Sequence, residues 1–191
     1  MKKLFVLFSI LICTVSINAQ DVFNSNDESF EKQWIIGEIT NIIIVDSSIT
    51  KDQLYSQLQD WIANTFNSAK SVIQISDKDL GKIVGNGCVP VNQHPNVFIG
   101  GLYMIGYGYF TINVQCKNGK YKYTINNLYF ENQYNTSGKI PLQQEKSGQG
   151  MNIPQKQWDK IKNDAKIQIY STIESLKLSM NKVKSEKKDS W

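Results

Sequence analysis

Residues 107–130, YGYFTINVQCKNGKYKYTINNLYF, alternate by two on both sides of an Asn-Gly pair. One set is Phe110, Ile112, Val114, Cys116, Tyr121, Tyr123 and Ile125. The other is Thr111, Asn113, Gln115, Lys117, Lys120, Lys122, Thr124 and Asn126. A period of two sends successive side chains to opposite faces of a strand. Asn-Gly is the strongest short hairpin signal, because a type I′ turn needs positive φ at both central residues. A two-residue loop sets Lys117 against Lys120, Cys116 against Tyr121, and so on to Thr111 against Asn126. The apolar pairs then share one face and the polar pairs the other. Such a hairpin folds only if the rest of the chain covers its apolar face.

Two helices are available for that. Thr50 and Gln53 form a capping box, and Leu54, Leu58, Trp61, Ile62 and Thr65 follow on one helical face. Trp158, Ile161, Ala165, Ile169, Ile173, Leu176 and Met180 recur at steps of three and four, with Pro154 suited to the first turn. Residues 38–46 read as a strand, and 71–76 with 82–89 as a hairpin around DKDLG. The order β-α-β-β-β-β-α predicts an α+β, two-layer domain, an antiparallel sheet with helices on one face and the other face open. The domain is expected over 38–180, with its last helix at 154–180. Residues 20–37 read as a polar, mobile lead-in, 131–151 as a polar loop and 181–191 as a charged, frayed tail. Residues 90–106, broken by Pro90, Pro95, Gly100 and Gly101, read as a loop or as an extension of the next strand.

Residues 1–19 read as a signal peptide. Lys2 and Lys3 precede an apolar run too short for a comfortable membrane span, and small Ala19 precedes polar Gln20. Cys13 lies inside the apolar run after Ile12, which does not suit lipid attachment. The expected location is the periplasm or the extracellular space, with no transmembrane segment in the mature chain. Cleavage would leave 172 of 191 residues and lower the formal net charge from +4 to +2. The chain contains no Arg. Bidentate recognition of phosphate or carboxylate is thereby closed, and a near-neutral chain has little pull toward nucleic acid.

The segments KDQLY…W, SAKSVIQ, DKDLGKIVGNG and KNGKYKYTI occur in that order within residues 38–130. Together they resemble the Bacteroidetes family called domain of unknown function 4468, which has a TBP-like fold. QWDKIKNDA resembles helices that follow this domain. The resemblance implies a TBP-like sheet in a secreted or envelope protein and implies no activity. A TBP-like sheet does not by itself imply DNA binding.

Candidate chemistry is sparse. His94, the one histidine, sits in the polar turn NQHPN without partners for catalysis or metal binding. Asp77 and Asp79 start like a calcium loop, but the following residues supply neither further oxygen ligands nor a terminal Glu. Cys88 and Cys116 end successive antiparallel strands at opposite edges, about 27 Å apart, beyond disulfide reach. They are expected to be two separate buried thiols. No catalytic residue, metal ligand or cofactor is expected.

The open face suggests binding. Thr124, Asn113, Gln115 and Lys122 make a wet half. Extending the register places Tyr107, Tyr109, Leu128 and Phe130 as an aromatic half, with Gly108 opposite Tyr129 on the core face. Such a surface suits a glycan, a peptide or another envelope protein. A bulge near Asn126-Asn127 would send Leu128 and Phe130 to the core instead. The expected function is that of an exported, non-enzymatic binding protein. The alternatives are an envelope enzyme with its site in loops 90–106 and 131–151, or a structural subunit of an envelope assembly. Intact-mass analysis of the exported protein is expected to give a chain starting at Gln20. A mass that retains residues 1–19, or carries lipid on Cys13, would refute that processing.

Overall fold

The computed structural model describes residues 27–66, 72–91, 98–99, 102–103, 106–132, 138–147 and 153–186. The expected signal at 1–19, His94 and the tail beyond 186 lie outside these. The elements are α1 (Glu28–Ile36), β1 (Ile39–Ile44), α2 (Lys51–Thr65), β2 (Ile73–Asp77) and β3 (Lys82–Val91). Then come β4 (Phe98–Ile99), β5 (Leu102–Tyr103), β6 (Gly106–Lys117), β7 (Lys120–Asn132), β8 (Ile140–Pro141) and α3 (Gln155–Glu186). The main sheet is antiparallel in the order β1-β7-β6-β3-β2, with β8 also on β7. β4 and β5 form a separate two-stranded sheet. The fold is the α+β, two-layer arrangement that the alternation requires.

The central hairpin keeps the expected register from Lys117↔Lys120 to Thr111↔Asn126. Its turn is not type I′, because Gly119 has φ 70° and Asn118 has no positive φ. The turn is held from outside. Lys51 N–H donates to Asn118 Oδ1 (2.8 Å), Gly119 N–H to Ile49 O (2.9 Å) and Val45 N–H to Gly119 O (2.8 Å). The same Asn118 side chain thus serves an orphan donor in the first turn of α2, whose Thr50–Gln53 capping box is complete.

The inner face carries Ile83, Val89, Phe110, Ile112, Val114, Cys116, Tyr121, Tyr123 and Ile125, all buried. α3 lays the whole stripe from Trp158 to Met180 on it, every member at most 1% exposed. Small residues set the approach. A Cβ added to Gly108 would meet Ala165 Cβ at 3.1 Å, and one on Gly87 would run into the Phe110 ring. α2 lies antiparallel beside α3, with Gln57 Nε2 donating to Ser179 Oγ (3.0 Å) and Trp61 Nε1 to Ser175 Oγ (3.1 Å).

Three segments depart from the sequence expectation. The lead-in is not loose after Asp27, which caps α1 by accepting from Phe30 N–H (3.0 Å). α1 buries Phe30 and Trp34, sets the Phe30 ring edge-on to Tyr170 (4.9 Å) and pairs Glu31 with Lys166 (2.9 Å). Two buried aromatics in a polar context are a weak pattern, so the helix was hidden. The 131–151 loop contributes β8, which buries Ile140, and the turn after it, which buries Leu142. α3 runs on to Glu186, so much of the expected frayed tail is helical, and Val183 is buried.

β1 is an edge strand with Ile42 and Ile44 exposed. Its outward donors are partly blunted: Thr40 N–H goes to Gln33 Oε1, and Ile42 N–H to Asn41 Oδ1. That lowers the edge's capacity to recruit a foreign strand. Phe30→Ala and Trp158→Ala are each expected to cost about 3–5 kcal/mol in denaturant unfolding. A loss below about 1 kcal/mol for Phe30→Ala would mean that α1 is not docked.

Candidate functional site

The open face is built by a row-by-row register across β3, β6 and β7. Cys88 stands opposite Tyr109, and Tyr109 opposite Tyr129. One step along the strands, Asn86 stands opposite Thr111, and Thr111 opposite Asn126. Two residues of β6 separate these rows, but three of β7. The extra residue is Asn127, at φ 53°. Asn tolerates this left-handed conformation better than most residues.

This bulge corrects the expected site. Leu128 and Phe130 turn inward, 3% and 0% exposed, and leave the binding set. Gly108 faces Phe130 rather than Tyr129. Tyr129 comes outward in their place, and Tyr107 and Tyr109 remain on the open face, half-buried. The Asn126-Asn127 pair was the sequence signal for this change. Asn113, Gln115, Lys122 and Thr124 lie on the same face further along, as expected. They pair with one another across β6 and β7, away from the tyrosines. Thr124 Oγ1 is 3.0 Å from Thr40 Oγ1, while Asn113 Oδ1 is buried without a hydrogen-bond partner.

Tyr109 and Tyr129 stack nearly parallel, with ring centroids 5.0 Å apart and 9° between planes. Tyr107 lies tilted beside Tyr109 at 6.3 Å, and Lys139 Nζ sits 4.7 Å from the centre of the Tyr129 ring. Burial, then the neighbouring Cys88, Glu131, Tyr129 and Tyr107, pushes Tyr109 up to about 12. Its hydroxyl therefore stays protonated at neutral pH and can donate.

Beside the rings runs a polar row. Thr111 Oγ1 donates to Asn86 Oδ1 (2.9 Å) and accepts from Asn127 Nδ2 (3.2 Å). The rings and this row bound an open groove of about 820 Å³, which reaches past Lys139 and Pro141 to Gly37 and Gln143 at the β7 edge. That volume is in the range of small-ligand sites.

The two cysteines form no disulfide. Cys116 is buried, and burial pushes its thiol up to about 12. Cys88 is only half-buried and lies on the open face, contrary to the expectation of two buried thiols. Cys116 is seven residues of β6 beyond the Tyr109 that faces Cys88, or about 23 Å along the strand. No group of three His, Cys, Asp or Glu among the described residues is placed to hold a metal. No helix among them is long and apolar enough to cross a membrane.

A six-stranded antiparallel sheet backed by helices, with its other face open, defines an α+β domain of the TBP-like class. Residues 40–131 match the family described as "Domain of unknown function (DUF4468) with TBP-like fold". The chain carries a domain of that family over those residues. Two crystal structures are similar. One, a DUF4468 family protein from Bacteroides ovatus ATCC 8483, has a TM-score of 0.54 at 12% identity. The match covers 75% of this chain and 85% of that one. The other, a TBP-like protein from Parabacteroides distasonis ATCC 8503, has a TM-score of 0.56 at 8% identity. That match covers 75% of this chain and 91% of that one. No curated protein matches.

The bulge can be tested directly. Asn127→Gly is expected to leave stability nearly unchanged. Asn127→Val is expected to lose about 1–2 kcal/mol, the cost of a left-handed conformation for a β-branched residue. Equal effects of the two substitutions in urea unfolding would rule out the bulge.

Proposed function

We propose that this protein is an exported, non-enzymatic binding module of the cell envelope, periplasmic or extracellular, which takes its ligand on the open sheet face. The observation that carries this reading is the cluster of Tyr107, Tyr109 and Tyr129 on a face that no described helix covers, beside a hydrogen-bonding groove with an uncharged floor. Tyrosine gives a large, rigid contact area with a polar tip, which suits recognition at a wet surface. The outer face of a sheet needs only to be wet and in register, so three rings and Asn86 there call for a use beyond folding. The basic start, the apolar run after it and the Ala19-Gln20 junction support export. Near-neutral charge and the lack of Arg argue against nucleic acid.

The test is amide NMR of ¹⁵N-labelled mature protein against envelope extract split into glycan, peptide and protein pools. At least one pool is expected to shift signals from residues 107–111 and 127–131. Tyr107→Ala with Tyr109→Ala should abolish those shifts while the protein stays folded, at a cost of about 1 kcal/mol. Silence from every pool, or shifts confined to other regions, would refute the reading.

A further inference from the structure

We propose that the groove beside the tyrosines binds a neutral oligosaccharide, with Asn86, Thr111 and Asn127 as its floor and the Tyr109–Tyr129 pair as its wall. This rests on the binding role proposed above and names the class of ligand.

The floor is a line of uncharged groups with both hydrogen-bonding senses. Thr111 Oγ1 is committed on both sides, giving to Asn86 Oδ1 and receiving from Asn127 Nδ2. The two amides are thereby held rigid, with Asn86 Nδ2 left to donate at one end and Asn127 Oδ1 to accept at the other. A sugar hydroxyl both gives and accepts, so a run of hydroxyls can meet a donor at one end and an acceptor at the other. Fixed amides lose little freedom when they bind, which favours affinity.

The wall agrees. Tyr109 and Tyr129 stack on each other, and Lys139 lies over the Tyr129 ring. Both rings line the groove, and the Tyr109 hydroxyl is a donor at neutral pH.

Charge separates this ligand from the others. Among the described residues, Lys139 is the one charged side chain that lines the groove. Among the described lining residues a cationic peptide finds no carboxylate, Glu131 standing beyond them opposite Tyr107, and an acidic sugar finds only an ammonium already placed over a ring. An extended peptide would need a sheet edge for its backbone. The floor is centred on β6, whose ladder groups are taken by β3 on one side and β7 on the other, and on the outer side of β7 Leu128 O accepts from Leu142 N–H, which leaves a break of two residues, too short to pair an added strand.

The experiment titrates the labelled protein with neutral oligosaccharides (β-glucan, xylan, mannan and α-glucan fragments), with oligogalacturonate and with an unstructured neutral peptide. A neutral fragment is expected to give saturable shifts at residues 86, 111 and 127, little changed by added salt. Asn86→Ala and Thr111→Val are each expected to weaken that binding about ten-fold or more without moving the unfolding midpoint appreciably. Saturable shifts at these residues from oligogalacturonate or the peptide, but from no neutral fragment, would overturn the glycan assignment while leaving the binding module standing. Silence from the whole panel would also overturn it. The binding role falls only if the envelope pools as well are silent or shift other regions alone.

Discussion

The clamp on the Asn118-Gly119 turn holds the architecture together. Three hydrogen bonds tie the hairpin tip to residues 45–51, where the chain leaves β1 and enters α2. A hairpin alone is marginal in water. Here the tip fixes β1 beside β7 and serves the first turn of α2, so the strand pairing and the helix start stabilise one another. Gly119 suits this contact twice over. It takes φ 70°, and a Cβ there would approach Ser47 Cα to 3.0 Å. The β2–β3 turn docks in a similar way, with Cys116 N–H donating to Gly81 O (2.8 Å). Both ends of β6 and β7 near this pole are thus fixed by tertiary bonds and not by turn propensity alone.

That explains why the register was readable from sequence while the turn type was not. A loop of two residues and a period of two determine which residues face each other. Whether Asn118 takes positive φ depends on what its side chain bonds, and its partner is Lys51, far away in sequence. The helix stripes were readable for the same reason as the strands, since seven apolar residues on one face leave little choice. α1 and β8 were not readable. α1 contributes only Phe30 and Trp34, β8 with the turn after it only Ile140 and Leu142, and a surface already made by other elements decides their burial.

The candidate site depended on a single residue. One extra residue in a strand reverses the facing of everything beyond it until the end of the pairing. Asn127 therefore decides that Phe130 packs on Trp158 (6.1 Å between rings) and that Tyr129 stands in the open. The core gains from the exchange. Phe130 fills the space over Gly106, where a Cβ would meet its ring, and α3 can close on Gly108. The sequence carried half of this site, because Tyr107 and Tyr109 lie on the strand without the bulge. The other half followed only once the bulge was placed.

The same bulge separates two demands on β7. Before it, the strand pairs with β1 through Ile125; after it, the strand pairs with β8 from Tyr129. Between them Leu128 O still accepts from Leu142 N–H (3.1 Å), so the break on that side is confined to residues 126 and 127, and the groove opens beside it toward Gly37 and Gln143. The likeness to the two solved structures, at 8% and 12% identity, shows the fold and leaves this face undetermined. The fold requires the inner alternation, the glycines under α3 and the clamped turn. It does not require tyrosine at 107, 109 and 129 or asparagine at 86, since outward positions tolerate most polar residues at little cost. What those residues do must therefore be decided by what they can bind, and an uncharged row of amide and hydroxyl groups beside phenol rings is chemistry for a neutral, hydroxyl-rich ligand.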